Sequence, residues 1–392
     1  MRQKIDTVLL NDVFRAYFDA RRNKRNTFNQ MRFEMNFEEN LIELAYEVQN
    51  ETYKVGRSTC FVVNHPVKRE IFAADFRDRV VHHLVCNYIG DFFERRFITD
   101  TYSCRKGFGT SFGIERIVHH SRSVTQNYTR SAYVLKLDLQ GYFMSINRDL
   151  LFKKIEKQLV SRKNRKDKNV KRELYLIREI IYNDPTINCL RKGSVNDWDG
   201  LPKSKSLFSS PQGCGLPIGN LTSQLFSNVY LMDFDNYVKN ELKTPHYGRY
   251  VDDFFLMDTE KHVLLQKLDK MAEYLKTEYG LFIHPRKIYL QKIEHGITFL
   301  GAHIKPYRNY ISSKTLKCVK RNINYTDYCL RDTVDDKETL LMVSSMMNSY
   351  FGYLKQFSTK NIRIDTWKRS ENHHKYFKCN EAFSKIKLRE YL

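Results

Sequence analysis

The sequence has no apolar run that approaches the roughly 20 residues of a transmembrane helix, and its mean hydropathy is −0.57. We therefore expect no membrane partner. The amino-terminal stretch "MRQKIDTVLLND" has acids within its short apolar patch and no small-residue cleavage site, which is not the pattern of a secretory signal. The 8 cysteines form no CxxC pair, so neither a zinc site nor a disulfide framework is indicated. Reduced cysteines are typical of a cytosolic protein, and we expect a cytoplasmic location.

The chain also lacks internal repeats and low-complexity tracts. Aromatic residues make up 14% of its 392 residues and hydrophobic ones 42%, which excludes general disorder. The length is typical of two or three domains or subdomains. Lys and Arg number 66 against 45 Asp and Glu, a formal charge of +21. Together with 25 Tyr and 26 Phe, this surplus favours a polyanionic partner, because cations contact phosphates and aromatic rings stack on unpaired bases.

Hydrophobic periodicity divides the chain into three parts. Residues 1–55 have a helical pattern and include the basic run "DARRNKRN", either a solvated helix end or a phosphate contact. Residues 56–305 mix strands and helices, beginning with a hairpin from "CFVV" to "REIFAADF". The dense basic stretch 153–172 within this part is either a solvated face or an RNA or DNA contact. Residues 306–392 are expected to form a last, all-helical domain.

The acidic residues at strand ends carry the clearest chemistry. "YVDD" places Asp252 and Asp253 between apolar strand segments, and Asp138 ends another buried strand 114 residues before Asp252. Neighbouring carboxylates repel each other unless water or a cation compensates them, although Asp253 alone could be a turn residue. If these strand ends meet, their oxygens can hold a pair of Mg²⁺ ions of the kind that activate a 3′-hydroxyl in nucleotidyl transfer.

Several motifs in order resemble those of reverse transcriptases. "LKLDLQGYFMSI" resembles motif A, "GLPIGNLTSQLFSNVYL" motif B, "YVDD" motif C, "HPRK" motif D and "FLGAHI" motif E. Upstream, "REIFAADFRDRVVHHL" and "DTYSCRKGFGTSFGIERI" resemble finger motifs of bacterial enzymes related to group II intron and retron reverse transcriptases. The resemblance implies an α/β right-hand polymerase, with fingers and an antiparallel palm sheet over residues 56–305 and a helical thumb over residues 306–392.

Motif B narrows the resemblance further. Most reverse transcriptases have Gln-Gly-x-x-x-Ser-Pro there, whereas this chain has Ile218 in place of the first Gln and Gln224 in place of the Pro. That departure, with "AYFDARRNKRN" and "MNSYFGYLK", resembles the reverse transcriptases of diversity-generating retroelements. "PQG" at Pro211–Gly213 is not the motif, because the downstream Ser-Pro is absent.

The resemblance assigns roles to individual residues. Asp138 and Asp252 would be the main ligands of two Mg²⁺ ions, for which Mn²⁺ could substitute, and Asp253 would be the third acid. Lys68 and Arg69, at a hairpin tip, would meet the incoming triphosphate; two solvated turn residues are the alternative.

The remaining assignments surround the nucleotide. Tyr142, or Phe143 if the register differs by one, would exclude a ribose 2′-hydroxyl, although both could be ordinary core residues. Ile218 and Gly219 would lie under the nascent base pair. Lys287 would protonate the leaving pyrophosphate, unless it is only a flexible surface lysine.

The implied function is RNA-directed DNA synthesis. An enzyme of this family copies a template-repeat RNA into cDNA with errors mainly at adenines, and so diversifies a target gene. Its partners would be template RNA, cDNA or primer, dNTPs and a basic, oligomeric accessory variability protein in a bacterial, phage or archaeal host. The alternatives are a retron-like or antiphage-defence reverse transcriptase and, from another class, a catalytically silent RNA-binding scaffold. No RNase H or endonuclease pattern is visible.

Overall fold

A computed structural model of the protein describes residues 4–22, 27–64, 67–162, 167–331 and 336–389. Among these residues no helix is both long and apolar enough to cross a membrane. The helices are α1 (Thr7–Arg21), α2 (Phe28–Glu34), α3 (Phe37–Gln49), α4 (Phe76–Glu94), α5 (Thr110–Val124), α6 (Tyr142–Ser145), α7 (Arg148–Val160), α8 (Asp167–Tyr182), α9 (Leu221–Tyr230), α10 (Met232–Asn236), α11 (Lys261–Tyr279), α12 (Ser313–Cys329), α13 (Lys337–Leu354), α14 (Lys360–Arg369) and α15 (His373–Tyr376).

The strands form small sheets that are mainly antiparallel. They are β1 (Thr59–Val63), β2 (Arg69–Ala73), β3 (Tyr133–Asp138), β4 (Leu190–Arg191), β5 (Tyr247–Tyr250), β6 (Asp253–Asp258), β7 (Tyr289–Lys292), β8 (Ile297–Phe299), β9 (Ala302–Lys305), β10 (Arg308–Ile311), β11 (Phe377–Cys379) and β12 (Ile386–Leu388). The sheet orders are β2-β1-β4, β5-β6-β3-β7, β10-β9-β8 and β11-β12. The predicted hairpin is β1–β2, in antiparallel register from Thr59 opposite Ala73 to Val63 opposite Arg69.

The chain forms two compact units. The first comprises residues 1–106, 136–255 and 262–288, and the second comprises residues 107–135, 256–261 and 289–392. These boundaries follow compactness, and the functional division at residues 55 and 305 stays a prediction.

Helix α4 is the central helix of the first unit. The Asp75 carboxylate caps its first turn by accepting the Arg77 N–H, and the helix packs against α1, α8 and α9. Among its fully buried apolar side chains are Val80, Val81, Leu84, Ile89 and Phe93. His82 also joins α4 to α9, because its Nδ1 lies 2.8 Å from the Thr222 hydroxyl. The helix of motif B is therefore fixed on the core of the unit.

In the second unit, strands extend past the predicted boundary at residue 305. The sheet β10-β9-β8 continues to Ile311, and β11 and β12 form a hairpin near the carboxyl end. The Asn348 side chain of α13 bonds both backbone groups of Ile386, at 2.7 and 3.1 Å, and so fixes β12 on the helix. The prediction of an all-helical last domain is therefore wrong in this detail. Strands of three residues, such as β11 and β12, are too short to show a detectable alternation of apolar and polar residues in the sequence.

A buried ion pair supports the β5–β6 hairpin. Arg249 of β5 is 0% exposed, and its fork donates to both Asp235 oxygens, at 2.8 Å from Nε and 2.6 Å from Nη2. The same carboxylate accepts the Tyr247 hydroxyl at 2.6 Å and the Thr101 hydroxyl at 3.0 Å. A buried charge is costly unless it is paired and fully hydrogen-bonded, and both conditions are met here.

We predict that Asp235→Asn strongly destabilises the first unit. The amide leaves the Arg249 guanidinium buried without a counter-charge, which should lower the free energy of unfolding by about 3–5 kcal/mol. The matched control is Asp365→Asn, because Asp365 pairs with Arg369 on the exposed surface and such a pair contributes under about 1 kcal/mol. Urea denaturation measures both values, and similar losses in the two variants would contradict the prediction.

Candidate active site

Asp138 lies at the last position of β3, where the strand gives way to a loop. Its side chain is nearly buried, and its backbone carbonyl accepts the His284 N–H at 2.8 Å. The next residue, Leu139, donates its N–H to the Asp252 carbonyl at 3.1 Å. This backbone bond aligns the end of β3 with the turn of the "YVDD" motif, so the predicted meeting of the two strand ends is present.

Asp252 and Asp253 lie where that turn joins β6. Burial raises the pKa of Asp252 to about 7, and the Asp253 and Asp138 carboxylates add to the effect. Burial also raises the pKa of Asp253 above its ordinary value; the Lys136 ammonium opposes this rise and Asp138 reinforces it. The three acids therefore interact electrostatically with one another, and the site favours binding of a positively charged group.

Lys287 supplies one such charge. Its ammonium donates to Asp138 Oδ1 at 2.7 Å. Partial burial lowers the pKa of Lys287, but the bond to Asp138 and the other two acids outweigh this, so the net shift is upward. The lysine predicted from motif D thus contacts the predicted metal-binding acid, and its role in protonating pyrophosphate stays a prediction.

The donor chemistry of the acids suits a hard divalent cation. Carboxylate oxygens are the ligands that Mg²⁺ prefers, and mutual repulsion among three acids is relieved by a cation. Across the described residues, no three His, Cys, Asp or Glu side chains are arranged around a common metal position. The Lys287 ammonium instead lies on Asp138. The residues therefore fit the cation by their chemistry, and the two-ion arrangement stays a prediction.

The loop of motif B is bonded to elements on both of its sides. The N–H groups of Gly215 and Leu216 donate to the carbonyls of Ile146 and Phe143, each at 2.9 Å. On the other side, the Ile218 carbonyl accepts the N–H of β2 residue Phe72 at 2.8 Å. The loop thereby connects the segment after Asp138 with the β1–β2 hairpin.

Gly219 lies where no other residue fits without strain. Its φ is +125°, and a Cβ would lie 2.9 Å from both the Ile71 Cγ2 and the Phe72 carbonyl oxygen. Glycine tolerates this conformation and this close approach of two backbones. Asn220 continues the contact, because its Oδ1 accepts the Ala74 N–H at 3.2 Å.

The two aromatic residues of motif A have different surroundings. Tyr142 is buried, and its hydroxyl donates to the Ser227 carbonyl at 2.5 Å. Phe143 is half-buried and packs with Ile218 against a cluster that includes Phe72 and Met144. The structure thus brings Phe143, not Tyr142, into contact with the cluster around Ile218. The exclusion of a 2′-hydroxyl by either residue stays a prediction.

Lys68 and Arg69 lie at the hairpin as predicted from the sequence. Arg69 is exposed at the start of β2, whereas the Lys68 ammonium donates to the Asp199 carbonyl at 2.6 Å. Lys68 therefore also holds the loop that follows β4. Residues 65–66 of the hairpin lie outside the described residues.

The basic stretch 153–172 is partly engaged in ion pairs within the chain. Arg162 contacts Glu173 at 3.4 Å, Lys154 contacts Asp233 at 2.5 Å, and further pairs are Lys171–Glu51 and Arg172–Asp6. Residues 163–166, the most basic part, lie outside the described residues. The prediction of an RNA or DNA contact therefore stays a prediction.

Sequence reasoning missed two buried charged groups near the site. One is the Arg249–Asp235 pair. The other is Glu70 of β2, whose carboxylate accepts the Trp198 indole N–H at 2.6 Å and the Leu207 N–H at 2.6 Å. Charged residues are rarely fully buried, and the only signal for either group is an acid or a base within a strand pattern.

These features define the class of protein. Antiparallel strands carry acids at their ends, a helix follows the glycine-containing loop, and helices surround both, which is the α/β architecture of a right-hand polymerase. The family described as "Reverse transcriptase (RNA-dependent DNA polymerase)" matches residues 68–304, more than half of the chain. The chain belongs to the reverse transcriptase family. Domains of this family generally use divalent metal ions, typically Mg²⁺.

Solved structures of telomerase are among those similar to this chain. Apo telomerase from Candida tropicalis truncated from its C-terminal domain is 14% identical, with a TM-score of 0.45 over 65% of this chain and 55% of that one. Telomerase from Candida albicans, in complex with a TWJ fragment of telomeric RNA, is 13% identical, with a TM-score of 0.41 over 78% and 56%. This chain thus spans little more than half of the telomerase chains, and a likeness of this size defines no shared substrate. A comparison with curated proteins gives no match.

We predict that Asp252→Asn abolishes cDNA synthesis while leaving the fold intact. The amide is nearly isosteric with the carboxylate but carries no charge to hold a divalent cation. The rate should fall on the order of 10³-fold or more. Asp258→Asn is the control, since Asp258 lies at the other end of β6. Primer extension with Mg²⁺ on an RNA template measures both, and near wild-type extension by Asp252→Asn would refute the assignment.

We also predict that Gly219→Ala destabilises the first unit. The substitution places a Cβ against β2 at a φ that alanine rarely adopts, which should cost about 1–3 kcal/mol. Gly90→Ala is the matched control, because Gly90 lies within α4 and a Cβ there meets no atom within 4 Å. That helical change should be neutral or stabilise by up to about 1 kcal/mol. Thermal unfolding distinguishes the two, and equal melting temperatures would contradict the strain argument.

Proposed function

We propose that this reverse transcriptase copies a template-repeat RNA into adenine-mutagenised cDNA for a diversity-generating retroelement. The observation that carries the proposal is Ile218 at the position where most reverse transcriptases have Gln. Ile218 lies in an apolar cluster with Phe143, Phe72 and Met144. A side chain without a donor or an acceptor cannot hydrogen-bond the sugar of an incoming nucleotide, so one restraint on nucleotide position is missing.

In this proposal each residue of the site has a defined task. Asp138, Asp252 and Asp253 would hold the cations, which supply a Lewis acid for 3′-hydroxyl activation and charge for the leaving pyrophosphate. Lys287, whose ammonium donates to Asp138, would protonate the leaving pyrophosphate. Arg69 meets the triphosphate from the hairpin.

The floor of the nucleotide site has a different task. Ile218 and Gly219 would lie beneath the nascent pair, in the loop that is bonded to elements on both of its sides. Phe143, which packs against the same apolar cluster as Ile218, would exclude a ribose 2′-hydroxyl. Apolar contacts restrict position less directionally than hydrogen bonds do. A mispaired base that is shifted sideways is therefore rejected less strongly.

The proposed partners follow from the same function. Template RNA, the cDNA or primer, and dNTPs are the substrates, and the net charge of +21 favours such polyanions. We further propose a basic, oligomeric accessory variability protein as partner, and the cytoplasm of a bacterial, phage or archaeal host as location.

The DNA that flanks the gene tests the retroelement assignment. A variable repeat and a nearby template repeat that differ mainly at adenine positions would support it. An adjacent structured RNA gene without such repeats would favour a retron-like or antiphage-defence enzyme instead. Primer extension with Mg²⁺ by the purified chain, alone and with the accessory protein, tests polymerase activity separately. A chain that binds RNA but never extends a primer would be a silent scaffold.

We predict that Ile218→Gln lowers misincorporation opposite template adenine more than it lowers overall synthesis. One well-placed hydrogen bond contributes about 0.5–1.5 kcal/mol, so selection should improve by roughly three- to tenfold. Ile218→Leu is the control, because it keeps the apolar cluster without adding a polar group. Sequencing cDNA from one adenine-containing RNA measures the error frequencies, and equal adenine errors in all three enzymes would place the control of fidelity elsewhere.

A further inference from the structure

The residue before the two adjacent acids has an unusual backbone. Val251 is the first central residue of the two-residue turn between β5 and β6, and its φ is +58°. A positive φ at this position is typical of glycine, and a β-branched residue there is a genuine outlier. Such outliers persist only where surrounding contacts enforce them. The contacts that hold Val251 at this positive φ also determine the position of the next residue, Asp252.

Side chains hold both backbone groups of Val251. Its N–H donates to the Ser103 hydroxyl at 3.1 Å, and its carbonyl accepts Nη1 of Arg249 at 2.9 Å. Both side chains are buried, with Ser103 1% exposed. Water therefore cannot easily replace either bond, and a peptide unit that left this conformation would strand buried polar atoms.

Each of the two side chains is itself held in place. The Ser103 hydroxyl donates to Asn228 Oδ1 at 3.3 Å, while Asn228 Nδ2 donates back to the Ser103 carbonyl at 2.8 Å. Arg249 is fixed by its two bonds to Asp235. The contacts to Val251 thus come from a braced network of buried groups, drawn from the segment after α4, from α9 and from β5.

We propose that Ser103 and Arg249 are positioning residues that hold Val251 in the left-handed conformation and thereby aim Asp252 and Asp253 toward Asp138. The backbone bond from the Leu139 N–H to the Asp252 carbonyl supports this, because it joins the turn that follows Val251 to the residue after Asp138. The inference rests on membership of the reverse transcriptase family and is independent of the retroelement assignment.

The first test compares Ser103→Ala with Ser227→Ala. Both change a buried serine that is 1% exposed, but the Ser227 hydroxyl donates to the Gln224 carbonyl within its own helix. In primer extension, Ser103→Ala should lower kcat about three- to tenfold and raise the Mg²⁺ concentration for half-maximal rate, with the KM for dNTP unchanged. Ser227→Ala should change neither. Equal effects of the two variants would overturn the proposal.

The second test removes the strain. Glycine adopts a positive φ without support from neighbouring side chains. Ser103→Ala should therefore lower kcat less in a Val251→Gly background than in the wild-type background. The loss caused by Ser103→Ala should shrink to less than about twofold in that background. An undiminished loss would mean that Ser103 acts by some route other than the conformation of Val251.

A third measurement needs neither activity nor metal. The bond to Ser103 protects the Val251 amide, so hydrogen exchange of a peptide spanning residues 247–254 should accelerate in Ser103→Ala and stay unchanged in Ser227→Ala. This readout separates the inference from polymerase function, because it applies even to a preparation that extends no primer. An unaltered exchange rate in Ser103→Ala would overturn the proposed positioning role of Ser103, whether or not the variant extends a primer.

Discussion

The bidentate pair between Arg249 and Asp235 is the interaction on which the geometry of the site depends. It lies fully inside the first unit, where an unpaired charge would be prohibitive, so each group requires the other to be in place. The guanidinium has one further arm, which reaches the Val251 carbonyl. The buried guanidinium therefore also fixes the conformation of the turn at Val251. That conformation sets the positions of the adjacent acids, Asp252 and Asp253.

Charge balance explains the other half of the site. Three carboxyl groups lie within electrostatic reach of one another, and burial together with mutual repulsion brings the pKa of Asp252 to about 7. Until a cation binds, the charged form of this carboxyl group is disfavoured. Lys287 and Lys136 offset part of the negative charge in the meantime.

Much of this arrangement could be predicted from sequence, and the reasons for the remainder are physical. Short apolar runs that end in acids indicate buried strands, which located Asp138 and the "YVDD" hairpin. Hydrophobic periodicity does not tell which residues far apart in the sequence contact each other. The contact of Lys287 with Asp138 could therefore not be predicted from the sequence. A helix turns by about 100° per residue, and α6 begins at Tyr142, so small differences in its start decide which aromatic ring is buried.

The bonds of the motif B loop limit how the β1–β2 hairpin can bend. Ile218 bonds Phe72 near the end of β2 and Asn220 bonds Ala74 just after it, while the loop's earlier residues bond Phe143 and Ile146 at α6. The motif B loop and the end of the hairpin are therefore joined by hydrogen bonds at two points. A displacement of the motif B loop is therefore transmitted to β2 at Phe72, three residues along the strand from Arg69.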